Sequence, residues 1–401
     1  MLLEALIALF AGILIGTFTG LAPGIHINLV AALLLTLTAT PFISSISPLA
    51  LAIGIASLAV THTIIDFIPS IYLGAPNEET VLSVLPGHAL LKEGNGHEAL
   101  LISVYGALFA TVLAVLLSAP LIFLVPKISA PLLRIIPFLL IALITYMAVR
   151  EKKPVSAVLV LLAAGFLGYA ALNVPVREPL LPLLTGLFGT STLIAAIHEK
   201  TILPPQKRCK WKEAFPPIAD LKKTAVSAVC IAPPCSFLPA IGSGYASLIA
   251  AEVSDYSQRG FLFLNGTMTM ITMIWSFVIV YAIQKARTGA AATILEILQQ
   301  IQTWQIVLIL AASIIASFIA AALAIALSRQ CAALIGKINY QLLSYAIIAL
   351  IIIVVISITR ASGLVILMTS TALGSYALQS GVKRTHLMAC LIIPSIFYYL
   401  G

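Results

Sequence analysis

Charge is the scarcest commodity in this sequence. Of 401 residues, 9% are Asp, Glu, Lys or Arg and 61% are hydrophobic. A soluble globular chain carries about 25% charged residues. There is too little polar surface here to cover a water-soluble particle of this size, so the bilayer must be the solvent. The first 91 residues contain no Lys or Arg at all. Signatures of chemistry are equally scarce. The five cysteines (Cys209, Cys230, Cys235, Cys331, Cys390) show neither Cys-x-x-Cys nor metal-ligand spacing and read as small packing residues. No His-Glu-x-x-His, no Gly-x-Ser-x-Gly with partners and no Walker loop is present, so neither an enzyme nor a resident cofactor or metal is expected. Alternating strand patterns are missing, which argues against a membrane β-barrel. The N-terminus lacks a basic stretch and a clean cleavage pattern, and reads as a retained helix rather than a signal peptide.

What the sequence does have is apolar length. A spanning helix needs about 20 apolar residues. Long uncharged runs recur at 5–35, 99–126, 135–149, 155–172, 224–251, 305–328, 341–359, 361–382 and 385–400. Shorter or broken runs lie at 46–65, 67–91, 180–197 and 261–284. On the order of ten to twelve membrane segments are expected. Only helices and closed barrels satisfy their backbone in lipid. The fold class is therefore all-α: a polytopic, multi-pass protein of the cell membrane.

The net charge of +8 does not imply nucleic acid. Lys200, Lys207, Arg208, Lys210, Lys212, Lys222 and Lys223 crowd one loop, and Arg150, Lys152 and Lys153 another. By the positive-inside rule both loops face the cytoplasm.

The basic loop divides the chain into a first half (1–199), the loop (200–223) and a second half (224–401). Each half opens with an apolar run interrupted by Pro and Gly. Gly20–Asn28 in the first matches Phe237–Gly244 in the second, with Pro23 against Pro239 and Ile25 against Ile241. A second match pairs Lys92 and Gly96 with Lys285 and Gly289, at a shorter offset. Interrupted hydrophobic segments at corresponding places in two halves point to a transporter site between structural repeats. The expected halves contain broken or re-entrant helices, with the matching loops on opposite sides.

The breaks are the candidate binding region. Pro23 removes a backbone donor and Gly24 permits close approach. Past such a break, the N–H groups of the continuing helix and its dipole attract an anion. His26 and Asn28 add side-chain donors there. The second break offers Gly242, Ser243 and Gly244 as a backbone nest, after Pro239. A simple kink packed on a neighbour is the alternative for each. The polar stretch Tyr72–Thr80 holds Gly74, Asn77, Glu78 and Glu79 between apolar runs. Glu78 is either a helix cap or a proton or cation site. Asn265 and Thr267 are candidate solute contacts, or hydroxyl and amide groups bonded back to their helix. His62 and Asp66 are four residues apart, on one helix face, as a relay or a structural hydrogen bond. Asp66, Glu78 and Glu79 are the candidate ion-coupling groups, since ionisable residues inside a membrane are costly. Arg360 marks a boundary between two spans or, turned inward, a counter-charge.

GTFTGLAPGIHINLVAALLLT (16–36) and YLGAPNEETVLSVLPGHALLKEGNGHEAL (72–100) resemble the two signature regions of the TctA (DUF112) family, the large membrane subunit of tripartite tricarboxylate transporters. The resemblance spans most of the chain and is densest in 16–100 and 237–290. It implies an ion-coupled secondary carrier for citrate-like carboxylates, assisted by a small membrane subunit and an extracytoplasmic binding protein. It also implies a substrate region at Pro23, Gly24, Gly74, Pro76, Pro239, Gly242 and Gly244. The chain is shorter than the usual member. His26, Asn28 and Asn77-Glu78-Glu79 stand where the family has small, neutral or hydroxyl residues, as in a divergent, archaeal-type branch.

The sequence therefore predicts a carrier for an anionic solute working by alternating access and coupled to a proton or sodium ion. The alternative is a translocase for a polyprenyl-phosphate-type lipid carrier, which uses the same anion chemistry but needs a lateral opening. The partners expected are the anion, as a small molecule or lipid headgroup, membrane lipid, the two helper proteins and further copies of the chain in a homo-oligomer.

Overall fold

The computed structural model describes residues 2–22, 30, 46–74, 84–176, 178–200, 203–238 and 242–400. The described chain is helical throughout. Its helices are α1 (Leu2–Leu21), α2 (Pro48–Leu73), α3 (Val84–Lys92), α4 (Gly96–Leu116), α5 (Ser118–Val149), α6 (Pro154–Asn173), α7 (Leu180–His198), α8 (Ile218–Phe237) and α9 (Ser243–Val253). After these come α10 (Gln258–Ile283), α11 (Gly289–Leu298), α12 (Thr303–Ile335), α13 (Tyr340–Ser380) and α14 (Ala389–Leu400). Nine of the described helices are long and apolar enough to cross a bilayer.

The run 99–126 does not form one helix. It divides at Leu117, and α5 continues from Ser118 through Pro126, Pro131 and Pro137. Expected spans 341–359 and 361–382 form one element, α13, interrupted at Arg360 by non-helical backbone (φ 58°, ψ −156°). A residue with a side chain seldom adopts a positive φ, and this one marks the boundary its position suggested.

Burial separates central helices from peripheral ones. Most of α2 (78%) and α10 (83%) is buried, against 22% of α1 and of α5. Phe10, Phe18, Phe123, Phe166, Phe318 and Ile353 turn outward. Such a surface would be an aggregation site in water and suits contact with lipid.

Two pairs of helices run parallel at close range. Gly12, Gly16 and Gly20 of α1 lie against α2, where a Cβ on Gly16 would sit 2.6 Å from the Leu58 carbonyl oxygen and one on Gly20 2.9 Å from that of His62. Glu4 Oε1 accepts the Ser47 N–H (2.6 Å) at the start of this pair. In α4 and α10 the contact is reciprocal: a Cβ on Gly106 would collide with the Phe263 carbonyl, and one on Gly266 with the Ser103 carbonyl. Small residues let helix backbones approach in lipid, where no hydrophobic force draws helices together. Trp275 Nε1 donates to the Ala114 carbonyl across the same seam (3.0 Å). Most buried hydroxyls bond back to their own helix, as Ser57, Thr63, Ser103, Thr111 and Ser313 do to the carbonyl four residues earlier.

At one end of the bundle the polar connections gather. Lys207 N–H donates to the Gly94 carbonyl (2.7 Å) and Lys92 pairs with Glu199 (3.2 Å). A Cβ on Gly336 would touch Pro205 at 3.4 Å. Nearby turns are tied in the same manner: Glu151 accepts from His386 Nε2 (3.1 Å), and Lys153 Nζ donates to the Ser380 carbonyl (2.9 Å).

Candidate functional site

α8 and α9 form a hairpin whose two legs meet the same connection. Near the start of α8, Lys223 Nζ donates to the Asp255 carbonyl (2.9 Å). Ser227 Oγ reaches Tyr256 OH (3.2 Å), and Ser257 Oγ donates to Asp220 Oδ2 (3.3 Å). Residues 254–257 immediately follow α9, so the described residues at the far end of the hairpin are Leu238 on one leg and Gly242 on the other. α8 reaches it through Pro233 and Pro234, whose missing N–H groups favour an early end to the helix.

At that tip Gly242 is extended (φ −103°, ψ −168°) and stands as the N-cap of α9 with no side chain to cap it. The first N–H groups of α9 lack a side-chain acceptor from the cap, a position that suits an anion. Ser243 and Ser247 stand one turn apart on α9, 1% and 0% exposed, and neither Oγ has a hydrogen-bond partner among the described residues. The hydroxyls of Thr61, Thr190, Thr224 and Thr385 are in the same state, but Ser243 and Ser247 differ from them in standing one turn apart on one helix. A buried hydroxyl without a partner costs about 1–3 kcal/mol. Two of them at a helix start mark polar capacity reserved for something else. Gly244 is buried beside them. α9 packs on α10, which carries Asn265, fully buried.

Thr267 has a different task. Its hydroxyl donates to the Phe263 carbonyl (2.9 Å) and the Gly106 carbonyl (3.2 Å), sealing the α4–α10 seam. The alternative of a helix-bonded hydroxyl is the one its geometry supports.

Gly74 ends α2 in the left-handed region (φ 62°), after a π-turn at Pro69–Leu73, and its N–H caps the Pro69 carbonyl. Only glycine takes that backbone without strain. The His88 ring stands 3.8 Å from where its Cβ would be. His88 Nε2 in turn meets Tyr340 OH (3.0 Å). Asp66 is buried at the end of the α-helical part of α2, and His62 Nδ1 meets Thr19 Oγ1 of α1 (3.0 Å). Pro23, Gly24, His26, Asn28, Asn77, Glu78, Glu79 and Pro239 lie outside the described residues. Of the expected binding set, Gly242, Ser243 and Gly244 fall together at the hairpin tip, while Gly74 belongs to a different turn.

A buried cation that the motifs did not mark also emerges. Arg384 is 5% exposed, donating to Thr192 Oγ1, the Leu187 and Phe188 carbonyls and Ser191 Oγ (2.7–2.9 Å). Its acceptors lie on the π-turn Thr185–Thr190 and the turn after it. No local pattern announces Arg384, since its burial depends on α7 lying beside it.

The sequence profile of the Tripartite tricarboxylate transporter TctA family matches residues 6–389. The chain is also 30% identical to the uncharacterized protein MJ1079 of Methanocaldococcus jannaschii, over 98% of this chain and 99% of that protein. No solved structure matches it.

Proposed function

Because the chain belongs to the tripartite tricarboxylate transporter TctA family, we propose that it is a secondary carrier for a carboxylate-type organic anion, held at the tip of the α8–α9 hairpin. The family is one of membrane transporters, not of enzymes. The observation that carries the site is the pair of buried, unpartnered hydroxyls, Ser243 and Ser247, behind the extended Gly242. A carboxylate there accepts from both hydroxyls and from the first N–H groups of α9, with Asn265 orienting it.

The test is uptake into proteoliposomes across a panel of di- and tricarboxylates. Ser243→Ala and Ser247→Ala should each raise KM by about ten- to a hundredfold, since a hydrogen bond to a charged group contributes about 1.5–3 kcal/mol. Thermal stability should hold, because no protein partner is lost. An unchanged KM for every anion transported removes the site.

Transport by alternating access between two repeated halves, 1–199 and 224–401, completes the reading. The recurring order of a long helix, a short helix and a long helix in α2–α4 and in α10–α12 supports it. A proton or sodium ion is the coupling species, with Asp66, Glu78 and Glu79 as its candidate carriers and Pro23, Gly24, His26 and Asn28 as the first-half counterpart of the hairpin tip. Glu78→Gln should abolish the pH dependence of uptake while leaving anion binding measurable; a mutant with the wild-type pH profile excludes Glu78 from coupling. A small membrane subunit and an extracytoplasmic binding protein are the assisting partners.

One observation favours the lipid-carrier reading. An apolar cavity of about 490 Å³ between α5 and the hairpin is lined by Ile136, Leu140, Cys230, Pro234 and Leu238, next to the break. It has the character a lipid tail needs beside a headgroup site. A polyprenyl phosphate that raises thermal stability where carboxylates do not would choose that reading.

A further inference from the structure

A second cavity lies at the end of the bundle where the polar connections gather. Its volume is about 480 Å³, and its walls include His97, Gln206, Lys207, Arg208, Lys210 and Arg329. Four of these side chains are cationic, and no carboxylate lines it. Two of the nearby acids are occupied. Glu98 takes Arg259 in a two-point pair (2.7 and 3.2 Å), and Glu213 Oε2 accepts the Lys210 N–H (2.9 Å).

A solvated basic loop needs no such construction. Charge alone satisfies the positive-inside rule. Here the loop is fixed in place. Gln206 Oε1 accepts the Gly96 N–H (2.9 Å), its Nε2 donates to the Leu91 carbonyl (3.1 Å), and the Lys207 N–H donates to the Gly94 carbonyl (2.7 Å). The cations are thus held around a cavity from two directions, the 206–210 loop and the end of α12. Like charges gathered this way repel one another unless an anion sits among them. The wall is also wired inward. His97, 2% exposed, meets Ser328 Oγ through Nδ1 (2.9 Å), and Ser328 Oγ meets Tyr72 OH (2.8 Å), two residues before the Gly74 turn.

We propose that this pocket is a second anion site, taking an oxyanion, a polycarboxylate or a phosphate. Arg329 and Lys207 hold it, with His97 beside them in the lining. The proposal stands independently of the hairpin-tip site.

Cys209 lines the same pocket and reports on it. Burial, with Glu98 and Glu213 nearby, raises its thiol pKa, so maleimide labelling is run at mildly alkaline pH and read by peptide mass spectrometry. The same protein unfolded in SDS and labelled in each buffer is the control for direct effects of the anions on the reagent. The full-length protein is prepared in lipid-free detergent and, separately, in nanodiscs containing phosphatidylglycerol. Citrate, inorganic phosphate and pyrophosphate are each compared with chloride at matched ionic strength. Labelling of Cys209 should slow about tenfold at ten times Kd, with the unfolded control unchanged, and Lys207→Gln with Arg329→Gln should abolish the protection. Both replaced side chains are exposed, so the fold survives their change. Protection by a soluble anion in detergent assigns the site to a free oxyanion; protection only with phosphatidylglycerol assigns it to a lipid headgroup. Absence of both, or equal protection in the double variant, overturns the site. The Ser243→Ala, Ser247→Ala variant keeps the protection even if its transport is lost, which separates the failure of one site from the failure of the other.

Discussion

Glu151 stands in the turn between α5 and α6, outside the spans, and three donors converge on it: His386 Nε2, the Lys152 N–H and the Lys383 N–H. Burial works to raise its pKa, but these hydrogen bonds outweigh burial and hold the carboxyl below its usual 4.5. A group whose folded pKa is depressed stabilises the fold above its unfolded value and loses that contribution as pH falls through the folded value. The thermal stability of the wild type should therefore drop as pH falls below 4.5. Glu151→Gln should be less stable at neutral pH and flatter across that acid window. A melting series in detergent measures both, and parallel curves would show that the contact to His386 and Lys383 contributes nothing. Arg384, four residues past the end of α13, is the contrasting case. It pairs with carbonyls and hydroxyls rather than acids, so its role does not depend on a titrating partner.

Among the elements, the α4–α10 seam is where packing has least slack. Gly106 and Gly266 each face a carbonyl of the opposite helix at a distance that forbids a side chain. Gly266→Leu must push the helices apart and break the Thr267 and Trp275 bonds that cross the seam. Overpacking of this kind costs about 3 kcal/mol at the upper end of the usual range. The expected result is a large loss of the folded fraction after mild heating, read by size-exclusion chromatography. Gly381→Ala, at an exposed helix end (φ 70°), should cost less, through backbone strain alone. Equal effects at the two positions would remove the seam argument.

Across the whole molecule, the polar loops sort by end. Lys92, the 204–210 loop and Lys337 meet through the contacts at Gly94 and Gly336, whereas Lys285 follows α10, which starts beside Glu98 and runs to the Ala114 level of α4. Single cysteines at Lys207 and Lys285 should therefore label from opposite sides of right-side-out vesicles with a membrane-impermeant reagent. Labelling from one side would dismiss this arrangement and the inverted halves with it. The sequence made part of this architecture readable. Apolar length located the spans, a lone Arg360 located the break in α13, and Gly242-Ser243-Gly244 after Pro239 located the interruption before α9. The Leu117 boundary escaped because residues 117–126 are apolar on both sides of it, so hydropathy has no edge to find. The seam escaped because a membrane-helix glycine reads alike whether it faces lipid or another backbone, although the spacing of Gly12, Gly16 and Gly20 was a usable signal. The basic pocket escaped for a different reason: Arg329 is far from Lys207 in the chain, and only the folded bundle brings them to one cavity.

Length has a consequence for how this bundle sits in its solvent. α5 has 32 residues and α12 has 33, about 48 Å each at 1.5 Å per residue. The hydrocarbon layer is about 30 Å thick, and transmembrane helices lean by at most about 40°. Even at that inclination about 7 Å of each helix has no hydrocarbon beside it. Arg329 stands six residues before the end of α12, so an overhang at that end would set its guanidinium in the headgroup layer. A thicker bilayer would then draw it back down, and membrane thickness would tune how openly the basic pocket faces water.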